Sequence, residues 1–271
     1  FSGNGNKIYA KVIQKVNAVN PDFVVNVGDF TFDSLPRHWQ DFEKVTASVR
    51  VPYLTVVGNH DVIFKRNYYE SRYTPPNPET GLDDYSFDYG NARFVMLDDA
   101  NRTITERQFQ WLDKMTQTDK KKFVFAHIPP GHAEWKHNLS PSDSVSARWV
   151  TLMEKNKVDY VLLGHIHLYH DKNMNGVQYL VSGGAGSPLE KNPSFGQSLY
   201  HLALIEINGD QVSHQLIPVQ TELRADGPTG FGTGLDAGEI DAAIDPTPEE
   251  QQPGLSTQRA PSALRRLPHR F

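Results

Sequence analysis

Cysteine is absent from this sequence of 271 residues. Disulfides, thiolate metal sites and a cysteine nucleophile are therefore excluded. No apolar stretch approaches the length of a membrane-spanning helix. An excess of basic charge is also lacking, since 27 Lys and Arg stand against 32 Asp and Glu. This balance gives no sign of a nucleic-acid-binding surface, although a metal site can bind phosphate whatever the net charge.

Helix-like and strand-like patterns alternate through residues 1–220, which we interpret as one domain. Apolar residues at helical spacing predict helices from Ile8 to Val19 and around Trp39 and Trp149. Valine-rich apolar runs predict strands that are covered on both faces. These runs occupy residues 23–27, 53–57, 123–126 and 158–163.

Other segments give weaker structural signals. Residues 62–84 predict an irregular insertion, and residues 85–97 predict a hairpin around Gly90-Asn91. Thr105 is expected to cap a helix. Residues 177–181, 199–207 and 211–219 are interpreted as antiparallel strands, the last two joined by a turn at residues 208–210.

The composition changes at Thr221. Residues 221–271 contain six Pro, six Gly and two aromatic residues, which offers too little apolar surface to offset the entropy of ordering. We predict a disordered tail, acidic at first and then basic. Its basic end could contact an acidic partner, although a solvated tail is the simpler interpretation.

Metal-type side chains follow four of the strand-like runs. In chain order they are Asp29, then Asn59 with His60 and Asp61, then His127, then His165 with His167. Because sites in open α/β sheets form beyond the carboxyl ends of strands, we expect these residues to converge.

The residue types suit divalent transition metals. Carboxylate, amide oxygen and imidazole together favour Mn, Fe, Zn or Ni, whereas an all-oxygen set favours Ca or Mg. Asp29 has two oxygens that could bridge two ions, and Gly28 permits a sharp turn and a close approach. In an extended segment His165 and His167 would project to the same side, so each could bind a different ion, while Ile166 would point into packing.

Each motif also has an ordinary structural interpretation. A Gly-Asp pair is usually a turn, Gly-Asn-His-Asp fits a loop, and a single histidine such as His127 is more often structural. Their ordered recurrence after apolar runs favours a metal site over four unrelated turns. His132 and His137 are weaker candidates for lining a pocket. The remaining histidines are interpreted as surface or packing residues: His38, His170, His201, His214 and His269.

The sequence resembles the calcineurin-like metallophosphoesterase family over about residues 1–219. Four motifs carry the resemblance: Gly28-Asp29, Gly58-Asn59-His60-Asp61, His127 and Gly164-His165-Ile166-His167. It implies an α/β fold, a four-layer α/β/β/α sandwich of two mixed β-sheets flanked by helices, with two divalent metal ions at the strand ends. By motif it implies a bridging role for Asp29. The other implied ligands are Asn59, His127 and His165 at one ion and His167 at the second.

Three features depart from the family pattern. The family opens with an Asp-x-His motif that binds the second ion. Residues 1–6 look like the loop that follows it, so we expect that motif to lie upstream and the second site to be weaker without it. The second carboxylate of Gly-Asp-x-x-Asp comes one residue late, at Asp33. Phe32 stands where purple acid phosphatases, whose Val-x-x-His pattern residues 124–127 resemble, carry a Tyr ligand, so a coloured iron site is not expected.

The resemblance implies a phosphoric ester hydrolase that acts on a phosphomonoester or a phosphodiester. We hypothesise in-line attack on phosphorus by a hydroxide that bridges the two ions. Since His60 directly follows a ligand, we assign it to protonate the leaving oxygen or to stabilise the transition state. Asp61 would orient His60 by accepting a hydrogen bond. Candidates for substrate selectivity are Arg66, Tyr68 and Tyr69 in the insertion, residues 130–141, and the loop of residues 182–186.

Two alternatives remain open. The chain could be an inactive remnant that only binds phosphate, which the absent first motif favours, or an interaction module that works through its tail. Metal content together with hydrolysis of an aryl phosphate would separate the first from an enzyme. The expected partner is a phosphate-ester substrate, and no pattern addresses the oligomeric state. The amino-acid sequences of residues 85–97 and of the 182–186 loop resemble those of exported bacterial members of the family. This resemblance favours an exported or periplasmic location over a cytoplasmic one.

Overall fold

Alternating helices and strands make up the described part of the chain. The computed structural model describes residues 4–132, 134–135, 138–139 and 143–220. His137 and the predicted tail, residues 221–271, lie outside the described residues. The helices are α1 (Asn4–Val19), α2 (Pro36–Thr46), α3 (Arg66–Glu70), α4 (Glu106–Thr116) and α5 (Asp143–Lys155). The strands are β1 (Val24–Asn26), β2 (Tyr53–Thr55), β3 (Tyr85–Tyr89), β4 (Ala92–Met96), β5 (Lys121–Phe125), β6 (Tyr160–Leu163), β7 (Tyr169–Met174), β8 (Val177–Ser182), β9 (His201–Asn208) and β10 (Gln211–Pro218).

The helices follow the predicted apolar spacing and caps. α1 buries Ile8, Val12 and Val16 on one face and ends two residues before Pro21. α4 begins at the predicted cap, where the Gln108 N–H donates to Thr105 Oγ1 at 3.2 Å. The Thr105 N–H in turn donates to the Gln108 side chain at 3.0 Å, which completes a capping box. Such a cap stabilises a helix by about 1 kcal/mol.

Hydrogen bonding places six strands in one mixed sheet, in the order β3-β4-β5-β6-β8-β7. Its central strands β4, β5, β6 and β8 are parallel, and the outer strands β3 and β7 are antiparallel to their neighbours. Two smaller ladders complete the strands: β1 pairs in parallel with β2, and β9 pairs antiparallel with β10. The carboxyl ends of β5 and β6 therefore open on one edge.

Strand β5 shows how the large sheet is covered on both faces. Phe123 and Phe125 pack in an apolar cluster with β1, β2 and the β9–β10 ladder. Val124 and Ala126 point the other way, into a cluster with α4 and α5. A third cluster joins α1 and α2 to the outer side of β1, β2 and β9. The layers therefore run helix, sheet, ladders, helix, and the predicted four-layer α/β/β/α fold class is confirmed.

The structure corrects some details of the predicted elements. β8 lies parallel to β6 and is antiparallel only to β7. β7 was not predicted, because exposed polar residues alternate with less exposed residues along this edge strand and it contains no apolar run. The insertion at residues 62–84 contains α3, on which Tyr69 is fully buried. The second sheet is present as two separate ladders. None of the described helices has the length and apolar character needed to cross a lipid bilayer.

Candidate metal centre

Loops from several strands converge at one edge of the sheets. β1 leads to Asp29, β2 to the short 3-10 turn Asn59–Asp61, β5 to His127 and β6 to His165. His127 Nε2 lies 3.1 Å from Asp29 Oδ2 and 3.1 Å from Asn59 Oδ1. The same nitrogen lies 3.2 Å from His165 Nδ1. The structure therefore brings these four residues together, and their binding of a metal stays a prediction.

The donor atoms fit one divalent ion. Asp29, His127 and His165 each offer a ligand atom, and these atoms lie within 4.8 Å of one another. One carboxylate, two imidazoles and the Asn59 amide oxygen form a mixed N/O set that suits Zn, Mn or Fe. His167 lines the same cleft but does not belong to this three-residue group of the described chain.

Backbone carbonyls fix the orientation of two imidazoles. His127 Nδ1 lies 2.6 Å from the Val27 carbonyl oxygen, and His167 Nδ1 lies 2.9 Å from that of Pro188. Since a carbonyl oxygen only accepts, each Nδ1 carries the hydrogen and donates it. Each Nε2 is then the remaining ring nitrogen for an ion, which is the arrangement that commonly orients metal-binding histidines.

Electrostatic coupling joins the carboxylate to the imidazole. Burial opposes ionisation of Asp29, yet the adjacent His127 imidazole holds the pKa of that carboxyl well below its usual range. Burial also opposes a charge on His127, but the Asp29 carboxylate raises its pKa to about 9. Burial and the neighbouring His127 lower the pKa of His165 well below its usual value. An ion would therefore replace the proton shared by Asp29 and His127, because metal ligands must be deprotonated.

Two motif glycines allow the loops to approach each other closely. A Cβ at Gly28, where φ is +99°, would lie 2.5 Å from His127 Nδ1. A Cβ at Gly58 would lie 2.4 Å from Asp29 Oδ1. Both distances are shorter than any van der Waals contact, so these positions require glycine for a structural reason that the sequence prediction only partly stated.

Two of the predicted ligands have left-handed backbone conformations. Asp29 has φ +56° and His165 has φ +65°. This region is unfavourable for residues with a Cβ, and such outliers cluster at functional sites. The extended conformation predicted around His165 is therefore wrong. Even so, His165 and His167 both line the cleft while Ile166 is buried in the core, as predicted.

The structure changes the role of Asp61. Its Oδ2 accepts the Gly58 N–H at 2.9 Å and its Oδ1 accepts the Thr31 N–H at 3.0 Å. His60 Nδ1 donates instead to the Phe32 carbonyl oxygen at 2.7 Å. The predicted hydrogen bond from His60 to Asp61 is therefore wrong. Asp61 is fully buried and joins the backbones of the two loops that carry the site.

Asp99 is a supporting residue that the sequence analysis missed. It is fully buried, and it follows the apolar run that ends at Leu97. Its Oδ1 accepts the His127 N–H at 3.0 Å and its Oδ2 accepts the Ile128 N–H at 2.9 Å. The signal was available, because Asp98-Asp99 follows a strand as the other motifs do.

Three residues that were predicted to select the substrate or line a pocket make contacts within the fold instead. Arg66 Nη1 donates to Asp83 at 2.6 Å and to Asp98 at 2.5 Å, and Tyr69 is fully buried. His132 Nδ1 accepts a backbone N–H from within its own loop at 3.2 Å. None of these residues lines the cleft beside the metal-type residues. That cleft is lined by Tyr9, Asn26, Val27, Gly28, Asp29, His127, Gly164, His165, His167, Ser182, Gly183, Ala185 and Ser187.

Comparison with known proteins identifies the family. The sequence model described as calcineurin-like phosphoesterase matches residues 5–169, which include every motif at the converging loops. The chain belongs to the calcineurin-like phosphoesterase family. Members of this family are phosphoester hydrolases that typically bind two divalent metals. The predicted hydrolase class is therefore confirmed at the level of the family.

Individual relatives are distant. The chain is 31% identical over 117 residues to acid phosphatase type 7 of Mus musculus, covering 38% of this chain and 26% of that protein. It is 23% identical over 211 residues to a probable cyclic nucleotide phosphodiesterase of Rhodopseudomonas palustris, covering 68% of this chain and 74% of that protein. The chain thus spans only about a quarter of the mouse phosphatase.

A solved structure shares the fold. The Plasmodium protein GAP50, described as the anchor in the inner membrane complex, superposes with a TM-score of 0.61 at 16% identity. The match covers 81% of this chain and 82% of that one.

Proposed function

We propose that this chain hydrolyses a phosphate ester with the help of divalent metal ions held at the converging loops. The observation that carries the proposal is the contact of His127 Nε2 with Asp29, Asn59 and His165, all within 3.2 Å. Side chains from four separate loops meet there, and they offer the carboxylate, amide and imidazole donors that divalent transition metals bind. Membership of the phosphoesterase family supports the same conclusion.

The chain's own residues suggest how the reaction is arranged. Asp29, Asn59, His127 and His165 would hold one ion, and Asp29 with His167 would contribute to a second. Bound divalent ions would supply Lewis acidity, which lowers the pKa of water and neutralises charge on phosphoryl oxygens. Since the contacts described above bring three donors of the first site within reach of a single position, we propose that this site binds more tightly than the second.

His60 is the proposed general acid. Its Nδ1 donates to a backbone carbonyl, so its Nε2 is left to act on a substrate. Its backbone N–H donates to Asp29 Oδ1 at 3.0 Å, which holds the His60 backbone beside the metal-type carboxylate. With a hydrogen on Nε2 as well as on Nδ1, an imidazole in this position can protonate the leaving oxygen, a contribution of about 10²–10⁴-fold in rate.

Metal analysis and a hydrolysis assay test the proposal. The purified chain is loaded separately with Mn²⁺, Zn²⁺ and Fe²⁺, desalted, and examined by elemental analysis. Hydrolysis is then measured with 4-nitrophenyl phosphate and bis(4-nitrophenyl) phosphate, which represent monoesters and diesters. We expect bound metal and turnover of at least one ester. His165→Ala should lose both, whereas His214→Ala, which changes a histidine on β10, should lose neither.

An inactive phosphate-binding protein is the second candidate. The described donors form one three-residue group rather than two such groups, which favours it, and the fold is shared with a protein described as an anchor. This candidate is supported if the chain binds metal and inorganic phosphate by calorimetry but hydrolyses neither ester. Turnover that depends on His165 excludes it.

The finer substrate class and the location stay proposals. The names of the relatives cover monoester and diester hydrolysis, so the two aryl esters decide between them. We also propose an exported or periplasmic location, because residues 85–97 and 182–186 resemble the corresponding segments of exported bacterial members. Fractionation of the native host would test it.

A further inference from the structure

Ser182 and His201 form a hydrogen-bonded pair beside the proposed metal centre. Ser182 is the last residue of β8 and lines the cleft that Asp29 and His165 also line. Its Oγ lies 3.0 Å from His201 Nε2. His201 is the first residue of β9 and only 1% exposed. The pair therefore joins a buried imidazole to a hydroxyl group on the wall of the cleft.

Local packing is built around this pair. A Cβ at Gly184 would lie 2.3 Å from His201 Nδ1 and 2.4 Å from the Leu199 carbonyl oxygen. Gly184 is therefore required for the ring of His201 to sit where it does. On another side, the Tyr169 ring contacts the imidazole edge-on at 5.3 Å between centroids. The loop of residues 182–186 is thus a fitted element and not a plain glycine turn.

Hydrogen-bond geometry fixes which atom carries each proton. His201 Nδ1 lies 2.8 Å from the Leu199 carbonyl oxygen, which can only accept, so Nδ1 carries the hydrogen. Burial lowers the pKa of His201, so the ring is neutral and its Nε2 is an acceptor. The Ser182 hydroxyl must then donate to Nε2. The Ser182 oxygen therefore presents lone pairs, but no proton, to the cleft.

This polarity selects a chemical class of substrate. An ionised phosphate oxygen only accepts hydrogen bonds, so it gains nothing from Ser182. A hydroxyl group on the alcohol part of the ester can donate to the Ser182 oxygen. We propose that Ser182, held by His201, recognises a hydroxyl group of the substrate alcohol, so that the preferred substrates are phosphate esters of polyols. This inference rests on the proposed phosphoesterase function.

Two matched esters test the inference. Glycerol 1-phosphate and propyl phosphate differ only in the hydroxyl groups of the alcohol. Their binding is measured by calorimetry and their hydrolysis by phosphate release, on the full chain with Mn²⁺. We expect the wild-type chain to prefer glycerol 1-phosphate by roughly tenfold, the effect of one added hydrogen bond. Ser182→Ala should lower the affinity for glycerol 1-phosphate roughly tenfold and leave the affinity for propyl phosphate within about twofold of the wild-type value.

Control variants separate recognition from folding. Ser198→Ala removes an exposed hydroxyl that donates to the Glu190 carbonyl outside the cleft, and it should change neither ester. His201→Phe keeps a ring but removes the acceptor, which frees the Ser182 proton. It should reduce the preference although Ser182 is present, because the freed hydroxyl can then also donate to a phosphate oxygen of either ester; folding is verified by circular dichroism.

The outcomes distinguish the inference from the proposed function. Equal wild-type affinity for the two esters overturns the inference, as does an equal effect of Ser182→Ala on both, which would mean that Ser182 holds a water molecule. A chain that binds both esters and hydrolyses neither overturns the proposed hydrolysis. In that case the two dissociation constants still decide the hydroxyl preference.

Discussion

The Asp99 carboxylate offers the sharpest test of how the metal centre is supported. It is fully buried and accepts the backbone N–H groups of His127 and Ile128, at 3.0 and 2.9 Å. Asp99→Asn keeps the shape of the side chain, but its NH₂ group then faces one of these N–H donors. A buried donor left without a partner costs about 1–3 kcal/mol. At about 2–4 °C per kcal/mol for a domain of this size, the melting temperature should fall by roughly 2–12 °C.

The same change should weaken metal binding. The two N–H groups held by Asp99 set the position of the His127 backbone, and removal of such outer supports typically lowers metal affinity by about 10–100-fold. Titration calorimetry with Zn²⁺ measures this, beside a thermal melt of the metal-free chain. Asp113→Asn is the matched control, because Asp113 pairs with Lys155 on the surface of α4. If Asp99→Asn melts early yet binds Zn²⁺ as tightly as the wild type, Asp99 supports the fold alone and the reasoning is refuted.

Three further predictions follow from the geometry. His60→Ala should lower the catalytic rate by about two to four decades with metal content unchanged, and loss of metal in elemental analysis would contradict its role as an acid. Burial and a neighbouring carboxylate raise the pKa of Asp83 to about 7, so the folded state binds its proton more tightly than the unfolded chain. The free energy of unfolding should therefore fall by about 1–2 kcal/mol as the pH rises from 5 to 7. Asp83→Asn should flatten that slope in urea titrations, whereas Asp88→Asn should not, because the pKa of Asp88 is already about 2. Gly28→Ala should cost at least about 2 kcal/mol through strain and overlap, and Gly90→Ala, with open space around its Cβ position, should cost about half as much in the same assay.

Much of the site could be predicted because it depends on local rules. Buried strands read as apolar runs, and the polar residue after such a run lies at the sheet edge. Asp29, His127 and His165 followed from this pattern alone. Asp99 obeys the same rule, but its strand was interpreted only as half of a hairpin, so the residues after it were not considered.

The remaining contacts depend on structure that spacing does not reveal. His60 and Asp61 are neighbours in sequence, yet the 3-10 turn directs one imidazole toward the Phe32 carbonyl and the next carboxylate into the protein. Ser182 and His201 lie 19 residues apart. They end and begin strands of two different sheets, since β8 belongs to the six-stranded sheet and β9 pairs with β10, so their contact depends on how these sheets pack. Edge strand β7 was missed because its outward residues are polar.

The hydrogen bond from His127 to the Val27 carbonyl has a consequence for folding, because it joins residues 100 positions apart. Hairpins such as β7–β8 close over a few residues and can form early, whereas a loop of this length must be closed before the ligands meet. We therefore expect the metal-binding set to be completed late, so that an ion has no assembled site in the unfolded chain. A bound ion should then act mainly on the finished structure, adding about 2.7 kcal/mol at a concentration 100 times its Kd. Metal should slow unfolding and leave the rate of folding almost unchanged.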